Sequence, residues 1–264
     1  MTKITKNSAP LILAIDTATR AGSVALARGA DLLTLQTGDR ETSHSVDLIV
    51  TIAAALEAIG AKLNDVDLFA AASGPGSFTG LRIGLASIKS FAVSAGKRCV
   101  GVPTLAAIAH AAGKSAQTVA LLPAGRGEVF AQLFSVDARG VRALDSPAHL
   151  SPAIVLEKYM SMRTLSWAGE GAHSHAQAIG ERAEAAGLRW TEPGSQSAAE
   201  ATGWTLAPRC DKLAGSIAAL ADDEYRAGRT TSPDELRASY VRPSDAEINE
   251  KWPAEKSPVP LPRS

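Results

Sequence analysis

Cysteine, net charge and long apolar runs are all scarce in this chain, and each scarcity excludes a class of protein. The two cysteines among 264 residues, Cys99 and Cys210, form no CxxC or Cys/His ligand spacing, so we expect buried, reduced thiols and no disulfide framework. The 27 basic residues equal the 27 acidic ones, which argues against a protein that binds nucleic acid alone by neutralising phosphates. A local basic patch, or a place in a larger RNA-handling complex, stays open. The apolar run 9–15 ends at Asp16 and is too short for a signal peptide or a membrane span, so we expect a cytoplasmic protein without a membrane partner.

The first half of the chain alternates strand and helix patterns. Three short apolar runs separated by turns predict an antiparallel meander, and two further strands then alternate with three helices. The predicted strands are 11–15, 23–27, 32–36, 68–72 and 99–102, and the predicted helices are 43–59, 78–95 and 104–112. The order βββαβαβα is typical of a ribonuclease-H-like unit, which is a mixed sheet covered by helices.

The second half resembles an eroded and rearranged version of the first. Strands are predicted at 118–122, 129–135, near 142 and at 164–168, and helices at 152–160, 173–186 and 211–227. We therefore expect an N-terminal lobe (1–113), a degenerate C-terminal lobe (114–242) and a tail (243–264). Five of the 22 tail residues are proline, which predicts disorder. Within 232–242, Leu236, Tyr240 and Val241 predict a strap that packs back on the fold.

The turn after the strand 68–72 is rich in glycine and opens the next helix. Gly74 and Gly76 permit backbone angles and close approaches that a β-carbon forbids, and Ser77 or Thr79 can cap the helix. Such a turn can aim free N–H groups at an anion. The alternative is a tight connection between strand and helix with no ligand.

Asp16 ends the first strand and precedes two hydroxyl residues, Thr17 and Thr19. A carboxylate at this position can hold a hydrated cation next to a phosphate. Asp also commonly accepts hydrogen bonds from its own turn, and no second acidic residue lies on a matching strand end. We favour the hydrogen-bonded turn.

The helix 43–59 is apolar on more than one side. One stripe at helical spacing consists of Val46, Ile49, Val50, Ala53 and Leu56, and we expect it to face the sheet. Leu48, Ile52 and Ile59 lie off that stripe. A second apolar side suggests contact with another helix or another chain.

Several motifs resemble the TsaB (YeaZ) family. They span 11–242 and are LAIDTAT (13–19), GSVAL (22–26), GPGSFTGLRIG (74–84), GVPTL (101–105), GRGEVF (125–130) and YVR (240–242). The resemblance implies an α/β, actin-like or hexokinase-type (ASKHA) fold with two ribonuclease-H-like lobes built on mixed sheets. It implies a part in making threonylcarbamoyladenosine (t6A), the modified base beside the anticodon of tRNA.

Family members are usually non-catalytic, and the residues support that for this chain. The related catalytic protein TsaD uses two metal-binding histidines four residues apart on the first long helix, whereas here His44 is followed by Leu48, and one imidazole cannot hold a metal alone. Near Arg126 the family usually has an acidic residue, and this chain has Ala124 and Gly125 instead; Arg126 and Glu128 are then expected to form a structural ion pair. We expect no catalytic residue, no metal and no cofactor.

The resemblance also implies partners and the surface that binds them. It implies a scaffold that binds a TsaD-like subunit, and a TsaE-like ATPase joins this complex. The scaffold is expected to form a homodimer when alone and to contact tRNA only within the complex. The expected interface residues are His44, Leu48, Ile52, Ile59, Gly80, Gly84 and Ser87. The alternative is an ASKHA-type ATP-dependent phosphotransferase or carbamoyltransferase, whose anion or nucleotide contacts would be Asp16, Gly74, Gly76, Ser77 and Thr79. A metallopeptidase is excluded because no HExxH motif or equivalent pair is present.

Overall fold

The computed structural model describes residues 9–20, 22–37, 44–194 and 202–241, and the side chains of 44–47 lie outside that description. The predicted tail, 243–264, falls wholly outside it. Within the described ranges no helix has both the length and the apolar character needed to cross a bilayer.

The first half forms a mixed five-stranded sheet whose strand order is β3-β2-β1-β4-β5. The strands β1, β2 and β3 make the predicted antiparallel meander, and β4 and β5 extend it in parallel with β1. Helices connect the parallel strands, as parallel pairing requires. The elements are β1 (Leu11–Asp16), β2 (Ser23–Arg28), β3 (Asp31–Thr37), α1 (His44–Ala58), a 3₁₀ turn (Leu63–Asp65), β4 (Leu68–Gly74), α2 (Phe78–Ala95), β5 (Arg98–Pro103) and α3 (Thr104–Ala112).

The two faces of this sheet carry different layers because successive side chains of a strand point to opposite sides. Leu13 and Ile15 of β1 belong to the core cluster that contains the inner sides of α1 and α2. Ile12 and Ala14 belong instead to a second cluster, which includes α3 and reaches the other sheet. The helices α1 and α2 therefore form an outer layer, while α3 lies between the sheets.

The second sheet has the order β11-β12-β10-β6-β7-β8, with β9 paired to β7. The single helix predicted at 173–186 is two helices, and the short strands β9, β11 and β12 were not predicted. The elements are β6 (Ser115–Gly125), β7 (Glu128–Asp137), β8 (Gly140–Ala143), β9 (Ala148–Leu150), α4 (Pro152–Tyr159), β10 (Leu165–Ala168), α5 (Glu170–Ser174), α6 (Ala176–Ala185), β11 (Arg189–Thr191), β12 (Gly203–Leu206) and α7 (Ala214–Arg226). The prediction of two mixed sheets is confirmed.

The last helix, α7, packs on the first sheet, although the predicted boundary placed it in the second lobe. Its buried Ala214 and Ile217 share a core cluster with β1 and β2, and the Ala214 N–H donates to Ser23 Oγ at 3.0 Å. The chain after α7 returns to the edge of β5, where Thr231 exchanges backbone hydrogen bonds with Cys99. Cys99 is buried as expected, whereas Cys210 is exposed, contrary to the prediction.

Candidate functional site

Asp16 stabilises its own turn, as the favoured prediction states. Its Oδ1 accepts the backbone N–H of Ala18 at 2.8 Å and that of Thr19 at 3.2 Å, and its Oδ2 accepts the Thr19 hydroxyl. The residue is 1% exposed. Both carboxylate oxygens therefore have partners within the turn, which gives no support to a cation site at Asp16.

The small-residue row of α2 fits against that same turn of this chain. A β-carbon on Gly80 would overlap the backbone oxygen of Thr17, and one on Gly84 would overlap the Thr17 hydroxyl. That hydroxyl donates to the Gly80 carbonyl at 2.7 Å. The prediction that Gly80 and Gly84 lie at a partner interface is therefore wrong, because the close approach they permit is already used inside the fold.

The glycine-rich turn also packs against the Asp16 turn. The N–H of Ser77 and the space beside Gly76, which were predicted to receive an anion, are already in contact with Ala18. The Ser77 N–H donates to the Ala18 carbonyl at 2.8 Å, and Ser77 Oγ caps α2 by accepting from Gly80 N–H at 3.2 Å. A β-carbon on Gly76 would lie 2.6 Å from the Ala18 oxygen. Thr79 is exposed and is not the cap. These contacts favour the alternative prediction of a tight connection.

The predicted strap, 232–242, packs back on the fold as far as it is described, and the segment 231–241 covers this turn. The Ser239 N–H donates to the Ser73 carbonyl, and a β-carbon on Gly74 would overlap the Ser239 oxygen. The centroid of the Tyr240 ring lies 5.5 Å from that of the Phe78 ring. The Arg82 guanidinium also contacts Phe78, at 3.7 Å from the ring centroid. The strap therefore fixes the turn and the start of α2 together.

The prediction of which α1 side faces the sheet is wrong for Ile49, Val50 and Ala53, which are exposed, and right for Leu56, which is 8% exposed. Leu48 is 6% exposed and Ile52 4% exposed, and both pack with β1 and β2. Ile59 is half-buried against the same cluster. Leu48 and Ile52 therefore cannot present a surface to a partner. Both sides of α1 are apolar at helical spacing, so periodicity alone does not decide between them.

The exposed apolar residues of α1 belong to the stripe predicted to be buried. Ile49 is 55% exposed and Val50 68%, and on α2 Val93 is 64% exposed. These three side chains, with the exposed Ala53 and Ala86, define what we call the α1/α2 outer face. Sequence reasoning noticed the second apolar side but assigned it to the wrong residues. Of the other predicted interface residues, Ser87 is half-buried and the His44 side chain lies outside the described set.

Polar side chains of the second half form neither the predicted ion pair nor a metal site in the described part of the chain. Glu128 Oε2 lies 2.9 Å from His149 Nε2, so its neighbour is His149, and the predicted ion pair with Arg126 is wrong. Arg126 occupies the tip of the β6–β7 hairpin with φ at +52°. Burial lowers the pKa of His173. Among the described residues no three His, Cys, Asp or Glu side chains are grouped as metal ligands.

Comparison with known proteins agrees with this geometry. The family model for TsaD, tRNA N6-adenosine threonylcarbamoyltransferase, matches residues 39–203. The tRNA threonylcarbamoyladenosine biosynthesis protein TsaB of Escherichia coli is 34% identical over 156 residues, which are 57% of this chain and 67% of that protein. TsaB of Haemophilus influenzae is 36% identical over 123 residues, so the match spans 45% of this chain and only about half (51%) of that relative.

Solved structures extend the likeness to nearly the whole described fold. YeaZ from Pseudomonas aeruginosa superposes with a TM-score of 0.67 at 22% identity and covers 88% of this chain and 99% of its own. The two mixed sheets with helices between and outside them are thus an ASKHA-type fold. The chain belongs to the TsaB (YeaZ) family.

Proposed function

We propose that this chain acts in t6A formation as a non-catalytic subunit that binds a TsaD-type protein through the α1/α2 outer face. Membership of the TsaB family supports the pathway. The exposure of Ile49 and Val50 beside Ala53 on α1, and of Val93 on α2, supports a binding role, because larger exposed apolar areas mark interaction sites. Burying each of these side chains in an interface would contribute about 1–2 kcal/mol to the free energy of binding.

The hydrogen bonds within and between two turns, the one at Asp16 and the glycine-rich one at 74–77, support the non-catalytic part of the proposal. An enzyme of this fold that used Asp16 would need the carboxylate to reach a ligand, and here both oxygens hold the turn. The N–H of Ser77 already donates to the Ala18 carbonyl, and Ala18 also occupies the space beside Gly76. Binding of a nucleotide would have to displace these contacts, whereas docking on the outer face leaves them intact.

The proposal extends to the wider assembly. A TsaE-type ATPase joins the complex, tRNA is contacted only within it, and two copies of this chain pair through the same outer face when TsaD is absent. The protein acts in the cytoplasm, where its two free cysteines stay reduced. The predicted N-terminal and C-terminal lobes remain part of this proposal, with α7 packed on the first sheet.

Co-purification of variants with a TsaD-type protein tests the proposal. Val50→Glu and Val93→Glu place an unpaired charge on the outer face, which should cost several kcal/mol at a buried interface, so co-elution should be lost while the fold is kept. The matched control is Ile154→Glu on α4, since Ile154 is 51% exposed on the other half of the molecule; it should co-elute normally. Unchanged co-elution of both outer-face variants would contradict the proposal.

A binding assay separates the alternative function. If the purified chain binds ATP with micromolar affinity and Asp16→Ala abolishes that binding, the chain is an ASKHA-type enzyme and the scaffold proposal is wrong. We expect no such binding, because Asp16 is held by its own turn.

A further inference from the structure

A cavity of about 480 Å³ is lined by residues of both sheets and of α7, and none of its lining residues belongs to the Asp16 turn, the glycine-rich turn or the outer face. Its walls come from three places in the chain: the end of β5 and start of α3, the strands β7 and β8, and the end of α7. The turn between β7 and β8 approaches α7 closely, since a β-carbon on Gly140 would lie 3.6 Å from Asp223 Oδ2. The cavity is large enough for a small organic molecule.

The floor of the cavity is apolar except for one buried amide. Along β7 the side chains that face this side are Phe130, Gln132, Phe134 and Val136, of which Gln132 alone is polar. Gln132 is 7% exposed. Burying a glutamine amide among apolar side chains costs free energy of folding unless the amide is hydrogen-bonded.

Only half of that amide has a partner among the described residues. Gln132 Nε2 donates to the backbone oxygen of Asp145 at 2.8 Å. Because a carbonyl oxygen can only accept, this contact fixes which end of the amide is the nitrogen. Gln132 Oε1 accepts no hydrogen bond within the part of the chain that the structure describes, which leaves an acceptor on a residue that lines the cavity.

The rim carries two arginines and two carboxylates, and three of these four side chains are held in ion pairs. Arg229 is held by Glu224 through two hydrogen bonds of 2.7 and 2.9 Å, and Arg139 by Asp137, which lies outside the lining. Asp223 forms no ion pair of its own within the described ranges, although it stands near enough to Arg229 to help raise the pKa of that guanidinium. Each arginine is matched by another carboxylate, so Asp223 is the one charged lining residue without an ion pair in the described part of the chain.

We propose that this cavity binds a small organic cation, an ammonium group on an aromatic or aliphatic body. The ammonium group would pair with Asp223, a donor N–H would reach Gln132 Oε1, and the apolar body would rest on Val102, Phe134 and Leu220. An anion would meet Asp223 and Glu224 at the rim and arginines that already have carboxylate partners. The site is independent of the proposed role in t6A formation.

Three probes with one ring system and different charges test the sign of the site. Saturation-transfer NMR titrations of the full chain would use tryptamine (a cation at neutral pH), indole-3-ethanol (neutral) and indole-3-propionate (an anion). We expect tryptamine to bind most tightly and indole-3-propionate least. Equal or tighter binding of the anion, or no binding of any of the three, overturns the proposal.

Matched variants then locate the bound probe. Asp223→Asn should weaken tryptamine binding about tenfold, the size expected for losing one charge-assisted hydrogen bond. Ala143→Trp fills the cavity from an exposed position of β8 and should abolish binding. Glu57→Gln removes one exposed negative charge on α1, behind the first sheet, and should change nothing. All three positions are exposed, so the fold is kept. Unchanged binding by Asp223→Asn, or an equal loss with Glu57→Gln, overturns the site.

Discussion

Leu48 and Val50 lie two residues apart on α1, and their truncation should affect stability very differently. Leu48 is 6% exposed and packs against the first sheet, whereas Val50 is 68% exposed. Leu48→Ala removes three buried carbon atoms and leaves a cavity that the sheet cannot fill, which should lower the free energy of unfolding by about 3 kcal/mol. Val50→Ala removes atoms that already touch water and introduces a better helix former, so the change should stay within about 0.5 kcal/mol.

Urea denaturation followed by circular dichroism at 222 nm measures both variants against the parent chain. The midpoint of the Leu48→Ala transition should fall clearly, and that of Val50→Ala should remain near the parent value. Ile52→Ala and Ile49→Ala form a second pair with the same expected contrast, because Ile52 is 4% and Ile49 55% exposed. If Val50→Ala proves the more destabilising variant, α1 is rotated relative to this account and the outer face is wrongly assigned.

Three further predictions concern the interior. Gly80→Ala should lower the free energy of unfolding, measured by urea denaturation, by about 3 kcal/mol, since its β-carbon would overlap the Thr17 backbone oxygen. The exposed control Ser90→Ala on the same helix should change it very little, and equal effects of the two variants would refute the close contact. Tyr159→Phe should cost about 1 kcal/mol, because the Tyr159 hydroxyl donates to Asp145 Oδ2 at 2.7 Å while Lys158 still satisfies that carboxylate; no loss would mean that the hydroxyl contributes nothing. Burial lowers the pKa of His110 below its ordinary 6.5, so the unfolded chain binds the proton more readily and the free energy of unfolding should fall as pH drops below about 6.5. His110→Gln should reduce that dependence between pH 7.5 and 5.5, leaving the part that His173 contributes, and an unchanged slope would exclude His110 as a source.

The order and type of most elements could be predicted because the strands and helices of the first half have strong, regular patterns. The strands β1 and β4 are continuous apolar runs that end in turn residues. The strands β9 and β11 have three residues each and β12 four, which is too short for any periodicity to appear. Their pairing depends on neighbours that are distant in sequence.

The candidate site shows a different limit. Gly80 and Gly84 at helical spacing predict a close approach, and such an approach exists, but a row of small residues does not say what approaches it. Here the neighbour is Thr17, more than 60 residues away along the chain. In the same way α1 has two apolar sides, and only packing against the sheet selects Leu48 over Val50 as the buried one.

The central claim is that the α1/α2 outer face binds a TsaD-type protein, and site-specific photo-crosslinking tests it most directly. A benzophenone amino acid at position 50 or 93 of this chain, irradiated in the presence of the TsaD-type protein, should give a covalent adduct. The same group at position 154, an exposed apolar site of α4, should give none. Adducts from position 154 alone, or a stable complex without adducts from positions 50 and 93, would contradict the account.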